Sequence, residues 1–97
     1  HRYRVLEAAS SVEALILTQQ YKGILHLTVS PLVMPEIGGR ELARRLLNQH
    51  PTMKTLFLSG YDDETIQHHR INQRFVLQQP YRQSGLIERV REMLDAA

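Results

Sequence analysis

Ile24-Leu25-His26-Leu27-Thr28-Val29-Ser30 is a run of aliphatic and β-branched residues bounded by Gly23 and Pro31. A near-continuous apolar run between turn residues suits a strand covered on both faces, as in a parallel sheet. Met53-Lys54-Thr55-Leu56-Phe57-Leu58 reads as a second such strand, turned by Ser59-Gly60. Upstream, Tyr3 to Ala8 alternates as a short strand and stops at Ser10-Ser11; downstream, Arg74 to Gln78 is another, broken by Gln79-Pro80. Strands are therefore predicted near residues 3–8, 24–30, 53–58 and 74–78.

Helical patterns fill the intervals. Ser10 followed by Glu13 is a capping box opening a helix that carries Val12, Ala14, Leu15 and Leu17 and ends near Tyr21, before Lys22-Gly23. From Arg40, the residues Leu42, Ala43, Leu46 and Leu47 recur at helical spacing, with Arg40, Glu41, Arg44, Arg45 and Asn48 opposite, until His50-Pro51. Asp62 to Ile71 is a weaker helix with an acidic first turn. Ser84 is expected to cap the last one, which places Leu86, Ile87, Val90, Met93 and Leu94 on one face. Strand and helix thus alternate four times with short connections, the pattern of an α/β fold with helices on both faces of a parallel sheet. Ligand sites in such sheets lie at the carboxyl ends of the strands, which directs attention to Pro31, Ser59 and Gln79.

Composition bounds the function classes. The 97 residues suffice for one domain over 1–97, and 42% hydrophobic content supplies a core. Twelve basic and ten acidic residues, spread along the chain, leave a net charge of +2 and no basic stripe for nucleic acid. Without cysteine there is no disulfide, thiolate metal site or thiol nucleophile. The apolar runs are far shorter than the roughly 20 residues a membrane helix needs, and no signal-peptide pattern opens the chain, so a cytoplasmic protein is expected.

Other chemical candidates have plainer readings. Ser30 has no predicted base or cation to activate it. His68 and His69 point about 100° apart on a helix, without an i, i+4 partner ligand. Asp62, Asp63 and Glu64 fit dipole and capping chemistry in a first turn. Arg40, Arg44 and Arg45 surround Glu41 and have no stacking aromatics, as on a solvated face. His26 is expected to be a strand residue with a hydrogen-bond partner, and Gly38-Gly39 to serve a turn.

Three stretches carry a family likeness: Leu32-Val33-Met34-Pro35-Glu36-Ile37-Gly38-Gly39-Arg40-Glu41-Leu42, Leu56-Phe57-Leu58-Ser59-Gly60-Tyr61 and Phe75-Val76-Leu77-Gln78-Gln79-Pro80-Tyr81. In order and spacing the chain resembles the receiver domain of two-component response regulators, particularly the type appended to hybrid sensor kinases. The resemblance begins at the family's second strand, so the first β-α unit has no counterpart in these residues. It implies a flavodoxin-like fold with a vacancy at the sheet centre, between the strands at 3–8 and 24–30. Inward movement of strand 3–8, a strand exchanged with a partner or homodimer mate, or native residues beyond this chain could fill it, and the latter two are the favoured expectations.

The same resemblance implies a degenerate phosphorylation site. The family's phosphoacceptor aspartate, three residues before Met-Pro, corresponds to Pro31; its lysine before the last-strand proline corresponds to Gln79; its pocket hydroxyl is retained as Ser59. The acidic pair that holds magnesium belongs to the unmatched first strand. The expectation is a pseudo-receiver: no enzyme, no cofactor, no metal, no nucleic acid and no membrane, with a protein partner that is a sensor kinase, a regulator or a second copy. Its alternative is a phosphorelay receiver whose acceptor chemistry is altered or supplied from outside the chain. The interaction face implied by the family comprises Val76, Tyr81, Ile87 and Arg91, and Gln79-Pro80 is expected to be a cis turn.

Overall fold

A computed structural model describes residues 3–32, 39–68, 71–72 and 75–96. Its elements are β1 (Val5–Glu7), α1 (Ser11–Gln20), β2 (Leu27–Pro31), α2 (Gly39–Gln49), β3 (Lys54–Ser59), α3 (Asp63–His68), β4 (Val76–Gln78) and α4 (Gln83–Asp95). The four strands form one sheet in the order β1-β2-β3-β4, and every ladder is parallel. The predicted alternation is therefore the observed one. Strand limits move by one to three residues: β2 starts at Leu27, not Ile24, and β3 and β2 each run one residue further, to Ser59 and Pro31. Arg74 and the loop 33–38 lie outside the described residues.

The pleat sorts the apolar side chains onto two faces. Leu42, Leu46, Met53, Phe57, Ile66 and Val76 form a core on the face covered by α1, α2 and α3, with Leu6 and Leu15 packed against it. Leu27, Val29 and Leu56 form a second core with Met93 of α4, flanked by Leu58, Leu77, Leu86, Val90 and Leu94. Partners across a ladder share a face, as Val29 with Leu56 and Phe57 with Val76 do. Gly23, between α1 and β2, has a φ of 117°, a backbone region closed to most side chains, which explains a glycine at that turn.

Several helix expectations change. The buried stripe of α1 is Ser11, Ala14 and Thr18, with Val12 and Ile16 exposed. Small residues let this helix sit close to the sheet, and the Ser11 and Thr18 hydroxyls find carbonyl acceptors at Pro31 and Ala14. The capping box is present: Ser10 Oγ accepts from Glu13 N–H and Glu13 Oε1 accepts from Ala9 N–H. On α2, Leu47 is exposed whereas Leu42 and Leu46 are buried. Of the helix predicted over 62–71, the described residues show Asp63–His68; residues 69–70 lie outside them, and the Ile71 N–H donates to the Ile66 carbonyl. Ser84 is not the cap of α4: the helix starts at Gln83 after Arg82, which makes no side-chain capping bond. A serine near a helix start marks the region, not the residue.

The vacancy at the sheet centre is absent. Val5, Leu6 and Glu7 pair directly with Leu27, Thr28 and Val29. The strand at 3–8 lies directly against β2 as the edge strand of the sheet, which is the inward movement named among the alternatives; no strand sits between β1 and β2, and the favoured expectation of an exchanged strand there is corrected. Backbone groups of a central strand are costly to leave unpaired, and the strand already in the chain satisfies them.

Candidate functional site

Pro31, Ser59 and Gln79 meet at the carboxyl ends of β2, β3 and β4. Proline in an inner strand ordinarily breaks a ladder. Here Leu27 N–H donates to Arg4 O and Ala8 N–H donates to Val29 O, whereas Leu32 N–H donates to Leu58 O. Odd-numbered residues of β2 thus turn their backbone groups toward β1 and even-numbered ones toward β3. Pro31 is odd, and β1 has ended at Glu7, opposite Val29. The missing N–H points past the end of β1, where no ladder bond is lost. The Pro31 carbonyl accepts the Ser11 hydroxyl at 3.2 Å and the Ser30 hydroxyl at 3.1 Å.

Ser59 is 0% exposed, and its Oγ accepts the Tyr61 N–H at 2.9 Å. Its hydroxyl closes the turn after β3. The Ser59 carbonyl accepts the Gln79 N–H at 2.7 Å, extending the β3–β4 ladder by one bond, and Gln78 Nε2 donates to the Tyr61 carbonyl at 2.6 Å. Gln79-Pro80 is cis, as the resemblance implied. The Gln79 side chain is exposed and its Oε1 lies over Gly60, 3.4 Å from where a Cβ on that glycine would stand. A pyrrolidine ring, a buried hydroxyl and a neutral amide carry no formal charge. The ammonium-bearing residue of β3, Lys54, is at the strand's other end, about 16 Å away for five residues of strand.

No family model matches the chain. The chain is 39% identical over 95 residues to the sensor kinase CckA of Brucella abortus (strain 2308), covering 96% of this chain and 10% of that protein. It therefore spans about a tenth of that relative's length. Among solved structures, it aligns with the receiver domain of the hybrid histidine kinase CckA at 32% identity and a TM-score of 0.67, over 97% of this chain and 79% of that one. This chain belongs to the receiver-domain family. The fold alone is shared more widely: a response regulator receiver protein from Sinorhizobium medicae WSM419 gives a TM-score of 0.75 at 16% identity, over 97% and 95% of the two chains.

In this receiver domain the residues expected to form an interaction face separate. Val76 is 5% exposed and packs in the core beside Phe57, because the pleat of β4 turns it inward; it is not a surface residue. Tyr81 is half-buried, while Ile87 and Arg91 are exposed on α4. Other candidates have structural partners. Arg44 and Arg45 both bind Glu41, at 2.6 and 2.8 Å, and those hydrogen bonds, Arg44 foremost, hold the Glu41 carboxyl down at about 2. Asp62 Oδ1 caps α3 by accepting the Thr65 N–H at 2.7 Å, and its bonds to Thr65 lower its pKa. His26 precedes β2, and its Nδ1 accepts the Arg4 N–H at 2.9 Å, which assigns the neutral ring's proton to Nε2. The Asp63 side chain and His69 lie outside the described residues. Sequence reasoning missed the Ser11 hydroxyl on Pro31, because contacts between a helix start and a strand end leave no periodic signal.

No helix among the described residues is long and apolar enough to cross a membrane.

Proposed function

We propose that this receiver domain is a pseudo-receiver: a non-enzymatic protein-interaction module, drawn from a hybrid sensor kinase and working in the cytoplasm, that does not accept phosphate. The observation that carries this reading is Pro31 at the family's acceptor position. A pyrrolidine ring has no nucleophile, and its neighbours Ser59 and Gln79 offer a buried hydroxyl and a neutral amide. Phosphoryl transfer depends on positioning and charge stabilisation, which an uncharged trio does not supply. In this role the domain meets a kinase, a regulator or a second copy through its surface and not through a covalent adduct.

Incubation with acetyl phosphate and magnesium, followed by intact mass, is the test. No stable phosphoryl increment is expected, and Pro31→Asp alone is expected to remain unmodified because Gln79 lacks the cationic charge. A single stoichiometric phosphorylation of the unaltered chain would sink the reading. The 39% identity to a sensor kinase supports a second one, a phosphorelay receiver whose acceptor chemistry comes from residues outside this chain. Phosphate uptake by the longer protein, mapped to a residue outside this chain, would favour it.

A further inference from the structure

On the sheet face covered by α1, α2 and α3, an apolar cavity of about 230 Å³ opens beside α2. Its walls are Ala43 and Leu47, one turn apart on α2, with Met53, Phe57 and Phe75. Met53 and Phe57 are buried and form the floor, whereas Leu47 and Phe75 are 47% and 37% exposed at the rim. A cavity of about 150 Å³ holds a benzene ring, and sites for drug-sized ligands begin at about 300 Å³. The space therefore suits one bulky apolar side chain presented by a partner.

The charge around it has one sign. Among the described residues no carboxylate lines the cavity, and the charged group that does is Lys54. Its Nζ donates to the Met93 and Ala96 carbonyls, which are neutral acceptors, and it makes no ion pair among the described residues. On α2, Arg44 stands one turn before Leu47 and shares the Glu41 carboxylate with Arg45. Two guanidinium groups on one carboxylate leave a positive charge beside the rim.

We propose that this cavity is a docking site for an acidic segment of a partner protein, which inserts one bulky apolar side chain past Leu47 and Phe75 and sets flanking carboxylates against Arg44 and Lys54. The inference deepens the pseudo-receiver reading by giving the chemistry of its partner, and rests on that reading to that extent. An apolar anchor in a desolvated pocket carries most of the affinity of a small contact, and complementary charges at the rim select the partner. Lys54 keeps its hold on α4 in doing so. An ammonium has three N–H donors, and two of them serve the α4 carbonyls. The third is left for a carboxylate.

Two peptides test this by NMR titration of the 97-residue chain: N-acetyl-Glu-Glu-Phe-Glu-Glu-amide and its lysine counterpart, N-acetyl-Lys-Lys-Phe-Lys-Lys-amide. The acidic peptide is expected to move the amide signals of Ala43, Leu47 and Thr55 saturably, with a Kd of about 1 mM or tighter, and the basic one to bind about tenfold more weakly or less. Added salt is expected to narrow that gap. Leu47→Gln and Arg44→Gln change exposed side chains, so circular dichroism stays as it is. The first is expected to weaken the acidic peptide by about tenfold and the second by about threefold. The absence of saturable shifts would overturn the proposal, as would binding indifferent to Leu47→Gln. Equal binding of the two peptides would assign the cavity to any apolar anchor, and shifts at Leu47 that follow protein concentration without peptide would assign it to a second copy; either result overturns the proposal too. The phosphate assay is separate: phosphate uptake by a chain that binds the acidic peptide removes the pseudo-receiver reading only, and an unphosphorylated chain that binds neither peptide removes the docking site only.

Discussion

At the residue scale, the side chains with the strongest electrostatic coupling lie away from the strand ends. Glu41 receives bonds from Arg44 and Arg45 and titrates at about 2 instead of 4.5. Because its pKa is lower in the folded state, the stability it adds is whole above 4.5 and is lost as pH falls through about 2. The pair is exposed, so salt screens it. Glu41→Gln is expected to flatten the dependence of the melting temperature on pH across that window, with the difference shrinking at high salt; thermal melts at two ionic strengths check it. Pro31 and Gln79 were legible from the sequence as substitutions at charged positions of the family pattern. The burial of Val76 was not, because a three-residue strand is too short for its alternation to show which face is inward.

At the element scale, helices with a wide apolar stripe were read well and the helix with a small-residue stripe was not. α1 buries Ser11, Ala14 and Thr18 and exposes Val12 and Ile16, the reverse of what hydrophobicity suggests. Close approach to the sheet selects for size there. Ala14→Leu is accordingly expected to cost about 1–3 kcal/mol by overpacking, and Val12→Ala less than about 0.5 kcal/mol, in chemical denaturation. α4 is held by a contact that no local pattern signals: Lys54 Nζ, at the start of β3, donates to the Met93 and Ala96 carbonyls at the helix's C-terminal end. A cation there satisfies orphan carbonyls and complements the dipole. Lys54→Met is expected to lose about 1–2 kcal/mol and to raise amide exchange in the last turn of α4, readable by NMR.

At the scale of the whole molecule, the open four-stranded sheet is completed by the pairing of its edge strand β1 with β2. The Ala8 amide, bonded to the Val29 carbonyl at 2.9 Å, is expected to exchange slowly, and the outward-facing Glu7 amide quickly, in hydrogen exchange followed by NMR. Equal rapid exchange at both would mean that β1 is detached. The amino-acid sequence by itself determined the alternation of four strands and four helices, the parallel α/β class and the uncharged chemistry at Pro31, Ser59 and Gln79, because periodicity, turn residues and side-chain identity are local. Only the tertiary structure decided which strand lies beside β2, that Pro31 sits where no N–H is needed, and that one face of the sheet keeps an apolar cavity beside α2. Those depend on register and on the packing of distant segments, where backbone pairing and buried area, summed over the whole chain, choose among arrangements that the local pattern leaves equal.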